Sequence, residues 1–84
     1  MNLREQLLLT SARYGDASRI GRKRVSTLVL NRGSKLDDIA EGGDLATGTF
    51  ERAMQWFSDN WPADAVWPAD VPRPVPVQVE EAAE

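Results

Sequence analysis

Cysteine and histidine are both missing from the 84 residues of this chain. Their absence removes disulfides, thiol nucleophiles, imidazole acid–base chemistry and most zinc sites, and it leaves a cytosolic location as the default. Neither enzymatic activity nor a cofactor is expected. Long apolar runs are missing as well. Unbroken apolar stretches reach three or four residues at most, far short of the roughly 20 needed to cross a bilayer. The N-terminus does not show the charged-then-apolar layout of a secretion signal, so the expectation is a soluble cytoplasmic protein with no membrane partner. The length leaves room for one small domain.

What is present is charge, unevenly placed. The formal net charge is −3, yet Arg13 to Lys35 holds seven basic residues against Asp16 alone, a local +6. From Asp37 to Asp59 six acids face only Arg52, giving −5, and beyond Asp59 five acids against Arg73 give −4. A phosphate backbone meets a local patch and not the average, so the acidic total leaves a nucleic-acid partner open. Asp37, Asp38, Glu41 and Asp44 lack the Asp-x-Asp-x-Asp-Gly spacing of a calcium loop. They predict a solvated acidic face and no metal site.

The periodicity is helical. Leu3, Leu7, Leu8, Ser11, Ala12 and Tyr14 recur at spacings of three and four and predict an amphipathic helix over 3–15. "RVSTLVL" is the ambiguous stretch. As a strand it leaves both faces mixed, whereas as a helix it gathers Val25, Leu28 and Val29 into one apolar stripe, so a helix over 21–31 is expected, closed by Gly33 in the left-handed conformation. Ser34 and Asp37 resemble a capping box opening a helix over 35–41 that stops at Gly42-Gly43. Phe50, Ala53, Met54, Phe57 and Trp61 predict a last helix over 47–60, with Asp44 or Thr47 as its cap and Pro62 as its terminator.

Beyond that helix the texture changes. Trp61-Pro62-Ala63-Asp64 repeats as Trp67-Pro68-Ala69-Asp70, and Pro72, Pro74 and Pro76 favour an extended chain. The expected layout is a DNA-binding domain over 1–61, a Trp/Pro segment over 62–75 folded back on the last helix, and a disordered acidic tail over 76–84. Trp61 and Trp67 are expected to pack, with their indole N–H groups reaching carbonyls. Trp56, off the main stripe of its helix, is the candidate partner surface.

Two helices joined by a tight turn, the second basic on its free face, form the arrangement that a helix-turn-helix needs. Arg22, Lys23 and Arg24 lie in the first turn, where cations oppose the helix macrodipole at roughly 0.3–1 kcal/mol each. A helix kept only for stability is rarely written so. The spacing Tyr14-Gly15, Ile20, then Val25-Ser26-Thr27-Leu28 resembles the helix-turn-helix pattern. The resemblance makes Gly15 the small residue of the first helix, Ile20 the turn hydrophobe, and Val25 and Leu28 the core anchors. Arg19 departs from it, standing where glycine is frequent, which predicts a longer or differently shaped turn. Phe50 to Pro74, centred on "QWFSDNWP", is similar to the C-terminal part of small helix-turn-helix regulators of phage or phage-like gene clusters. Together the two likenesses cover about two thirds of the chain, and they imply a DNA-binding transcription regulator.

The expected fold is therefore all-α, with four helices, and the expected function is sequence-specific binding of double-stranded DNA. Arg22, Lys23, Ser26, Thr27 and Asn31 are the candidates for base contacts; Arg19, Arg24, Arg32 and Lys35 are the candidates for phosphates. One small reader offers little contact area, so a homodimer on a two-fold site is expected, located in the cytoplasm at the nucleoid. A rival reading is an adaptor or inhibitor docking on RNA polymerase or another regulator through the acidic face and the Trp/Pro tail.

Overall fold

A computed structural model describes residues 1–76 of the chain. Among the described residues there are four α-helices and no strand: α1 (Leu3–Ser18), α2 (Arg22–Leu30), α3 (Lys35–Ala40) and α4 (Thr47–Asp59). The all-helical expectation holds. Of the acidic tail expected over 76–84, residues 77–84 lie outside the described part.

α1 opens with a capping box that the periodicity does not reveal. Asn2 Oδ1 accepts from the Glu5 N–H at 2.8 Å, and Glu5 Oε1 accepts from the Asn2 N–H at 3.0 Å. The helix runs three residues past its expected end because Gly15 sits inside it and does not terminate it. A Cβ at Gly15 would lie 2.9 Å from the Ile20 carbonyl oxygen and 3.4 Å from Val25 Cγ2. The missing side chain therefore lets α2 approach α1 closely. Arg19 closes α1 in the left-handed conformation (φ 60°), its N–H donating to the Gly15 and Asp16 carbonyls. The arginine itself takes the backbone shape that glycine usually supplies, and the connection is three residues long, so of the longer or differently shaped turn expected here the longer form does not occur.

Three capping expectations are corrected. Asn31, not Gly33, adopts the left-handed cap of α2 (φ 62°), with its N–H donating to the Thr27 carbonyl. Ser34 precedes α3 in helical conformation and makes no side-chain cap, because Asp37 is drawn towards α2 and not back to the helix start. α4 is preceded by Ala46 without a side-chain cap, so neither Asp44 nor Thr47 has that role.

Leu7, Val25, Leu36, Ile39, Ala53, Met54, Phe57 and Val71 form the core, one or more from every helix and one from the tail. Burial of these side chains drives the fold at roughly 25 cal/mol per Å² of apolar surface. In α1 the buried face is Leu7, Thr10, Ser11 and Gly15, while Leu3 and Ala12 are exposed.

The Trp/Pro segment lies along α4. The repeated tetrapeptide makes a repeated loop: Trp61 Nε1 donates to the Ala65 carbonyl at 2.9 Å and Trp67 Nε1 to the Val71 carbonyl at 2.8 Å. Ser58 donates to the Pro74 carbonyl, Gln55 Nε2 to the Val75 carbonyl at 2.9 Å, and Arg73 Nη2 to the Ser58 carbonyl at 2.9 Å. Arg13 Nη1 donates to the Val66 carbonyl at 3.3 Å, which links the segment to α1 as well.

Candidate nucleic-acid interface

α2 carries most of the residues singled out from the sequence, and its rotation about its own axis decides which of them face outward. Val25 and Ser26 are fully buried and Val29 is half-buried. At about 100° per residue, the middle of the buried arc falls between Val25 and Ser26. Arg24, Thr27 and Asn31 then point away from the core, with Lys23 and Leu28 on either side of them.

This orientation corrects one candidate. Ser26 does not face a groove: it is 0% exposed, its hydroxyl donates to the Arg32 carbonyl and accepts from the Leu36 N–H at 3.1 Å. It holds the loop after α2 against the first turn of α3. The physical reason is that α3 packs on the Ser26 side of α2, which a pattern of apolar residues alone does not reveal. Arg22 lies on the same side. Its side chain is exposed, and its guanidinium lies 3.2 Å from Asp37 Oδ1 in α3, so it is not settled against the core.

Leu28 is the converse case. Expected as a core anchor, it is 39% exposed and sits beside Arg24 and Thr27 on the outward face. Thr27 is exposed, and its hydroxyl donates to the Lys23 carbonyl at 3.0 Å. Lys23 Nζ is 3.6 Å from Asp37 Oδ2, so one carboxylate answers two cations of α2. Arg32 Nη2 is 2.9 Å from Asp38 Oδ2. Arg19 and Arg24 are exposed, and their side chains have no hydrogen-bond or ion-pair partner among the described residues. Surface pairs such as these contribute only about 0–1 kcal/mol each, so a phosphate can displace the carboxylates.

Lys35 and Arg32 lie apart from Arg19, past the C-terminal end of α2. There they share a cavity with Asn31 and Arg52. In the sequence Arg52 is only the lone base of an acidic stretch; nothing in its local pattern connects it to α2, because the two are brought together by the packing of distant elements. Trp56, the candidate partner surface, is half-buried, with its ring 5.3 Å from Tyr14 and 5.6 Å from Phe57, centroid to centroid. It belongs to an aromatic cluster joining α1 and α4. No cluster of metal-ligating side chains occurs among the described residues, and no described helix is long and apolar enough to cross a membrane.

Comparison with known proteins finds no matching family model, no similar curated protein and no similar solved structure.

Proposed function

We infer that the chain is a double-stranded DNA-binding regulator of transcription that lays α2 in the major groove, in the manner of a helix-turn-helix. The observation that carries this reading is the outward face of α2. Arg24 and Thr27 form its centre, Lys23 and Leu28 flank it, Asn31 follows as the C-cap, and all five residues are exposed. Arg24 stands in the first turn, the part of a recognition helix that comes nearest the base edges. An arginine, a hydroxyl with its methyl, and an amide are side chains suited to reading those edges. Arg19, at the turn before α2, and Lys23 are placed for the flanking phosphates.

The α1–α2 connection supports the same reading. Only Arg19, Ile20 and Gly21 separate the two helices, and the Gly15 notch sets their close approach. α2 spans nine residues, about 13 Å, a little more than the width of one major groove. One copy therefore reads one half-site, and two copies on a two-fold site supply the area that specific binding needs.

Part of what suggested an adaptor is occupied within the chain itself. All three tryptophans pack against other aromatic rings, and Asp37 and Asp38 are paired with cations of the same chain. The test is selection of bound fragments from random duplex DNA, followed by anisotropy titrations over a range of salt. Arg24→Ala, Thr27→Ala and Asn31→Ala should each weaken discrimination by roughly 1–3 kcal/mol for every base edge that is no longer read. A folded full-length chain that ignores duplex DNA at low salt would overturn the reading.

A further inference from the structure

The cavity at the C-terminal end of α2 has an electrostatic character that the outward face does not explain. It measures about 300 Å³ and lies between Asn31 and Arg32 after α2, Lys35 at the start of α3, and Thr49 and Arg52 in α4. Three cations from two separate stretches of chain line it, and no carboxylate does.

Each of the three is positioned by an interaction of its own. Arg32 is anchored by Asp38, which is not part of the lining. Lys35 Nζ lies 3.4 Å from the Asp44 carbonyl oxygen, and Arg52 Nη2 lies 3.4 Å from Thr49 Oγ1. Those two partners are neutral, so Lys35 and Arg52 have no ion-pair partner among the described residues. Like charges repel, and with one carboxylate against three cations an anion bound between them lowers the free energy. The site is also set up to donate: guanidinium groups present planar forks of N–H donors that match the oxygens of a phosphate.

We propose that the cavity lined by Arg32, Lys35 and Arg52 binds a phosphate group. Resting on the DNA-binding reading above, the group is a backbone phosphate of the duplex engaged by α2, held just past the end of that helix. Arg52 thereby joins α4 to the interface. A phosphorylated small molecule offers the same chemistry, and the experiment separates the two sources.

The full-length chain is labelled with ¹⁵N and titrated with inorganic phosphate, with chloride at equal ionic strength as the control. Phosphate should shift the Asn31, Lys35 and Thr49 amides and the Arg52 side-chain resonance, and Arg52→Gln or Lys35→Gln should abolish the shifts while leaving the remaining spectrum intact. In the second arm a mixed-sequence DNA duplex is added. Displacement of phosphate from the cavity, with Arg52→Gln weakening duplex binding roughly tenfold and reducing the salt slope by about 0.9, identifies the backbone as the source. Retention of phosphate beside bound duplex identifies a small phosphorylated ligand. If phosphate moves no cavity resonance, or moves them equally in both variants, the site is refuted. Should the chain bind no duplex at all, the DNA reading falls, while the phosphate arm still decides the cavity on its own.

Discussion

Ser11 and Ser26 are both buried, and their hydroxyls are in opposite situations. Ser26 closes two hydrogen bonds across the α2–α3 junction, whereas Ser11 Oγ has no partner among the described residues. Ser26→Ala should leave the Leu36 N–H and the Arg32 carbonyl without their partner and cost about 1–3 kcal/mol. Ser11→Ala should instead stabilise by up to about 1 kcal/mol, because it removes an unpaired polar group and installs the best helix former. For a chain of this size each kcal/mol moves the melting temperature by roughly 4–8 °C. Thermal unfolding of the two variants should therefore show shifts of opposite sign, with Thr27→Ala near the parent. A drop for Ser11→Ala would mean that its hydroxyl has a partner after all. The serine pair also shows where sequence reading stops: both residues are small and polar, and only a packed neighbour distinguishes a hydroxyl that joins helices from one that faces a groove.

The four helices were legible in outline, because each carries apolar residues at spacings of three and four. α4 was the most so: Ala53, Met54 and Phe57 are buried as the stripe predicts. The orientation of α2 was not legible. Its apolar stripe, Val25, Leu28 and Val29, is split by α3, which covers Ser26 and leaves Leu28 outside. Burial there is set by a six-residue helix whose docking depends on Leu36 and Ile39, information absent from α2 itself. The Trp/Pro segment behaves as an element although it has no regular structure. Its Val71 is 3% exposed and Pro68 is buried. Ending the chain after Asn60 removes Pro68 and Val71 together with the half-buried Trp61 and Trp67. Loss of buried apolar side chains of this size costs up to about 3–5 kcal/mol each, a large share of the stability of a small domain. Urea titration should give a much lower midpoint for this truncation, and an unchanged midpoint would mean that α1–α4 stand without the segment. At the other end, Asn2→Ala should cost about 0.5–2 kcal/mol through loss of the α1 capping box, read by the same titration.

Across the whole molecule the basic stretch and the start of the acidic stretch that follows it are brought together. Asp37 sits between Arg22 and Lys23, and Asp38 holds Arg32. The chain thus supplies its own competitor for the anion that its basic face would bind. Asp37→Asn should free both cations of α2 and tighten duplex binding about two- to fivefold at low salt. The gain should shrink as ionic strength rises and the Debye length falls. Equal affinity for the variant and the parent at every salt concentration would show that neither Arg22 nor Lys23 takes part in DNA binding.

The aromatic cluster gives the protein a built-in optical reporter. All three tryptophans and the only tyrosine share one network: Tyr14 lies 5.3 Å from Trp56 and 6.2 Å from Trp61, and Trp61 lies 4.7 Å from Trp67. None of these rings belongs to α2. Ultraviolet emission therefore comes from the junction of α1, α4 and the Trp/Pro segment, and the outward face of α2 contributes no chromophore of its own. Emission should change sharply when the segment peels away from α4, and a ligand on α2 that leaves the junction in place should barely alter its wavelength. Folding and occupancy can thus be followed in one cuvette, the first by intrinsic emission and the second by a dye on the ligand.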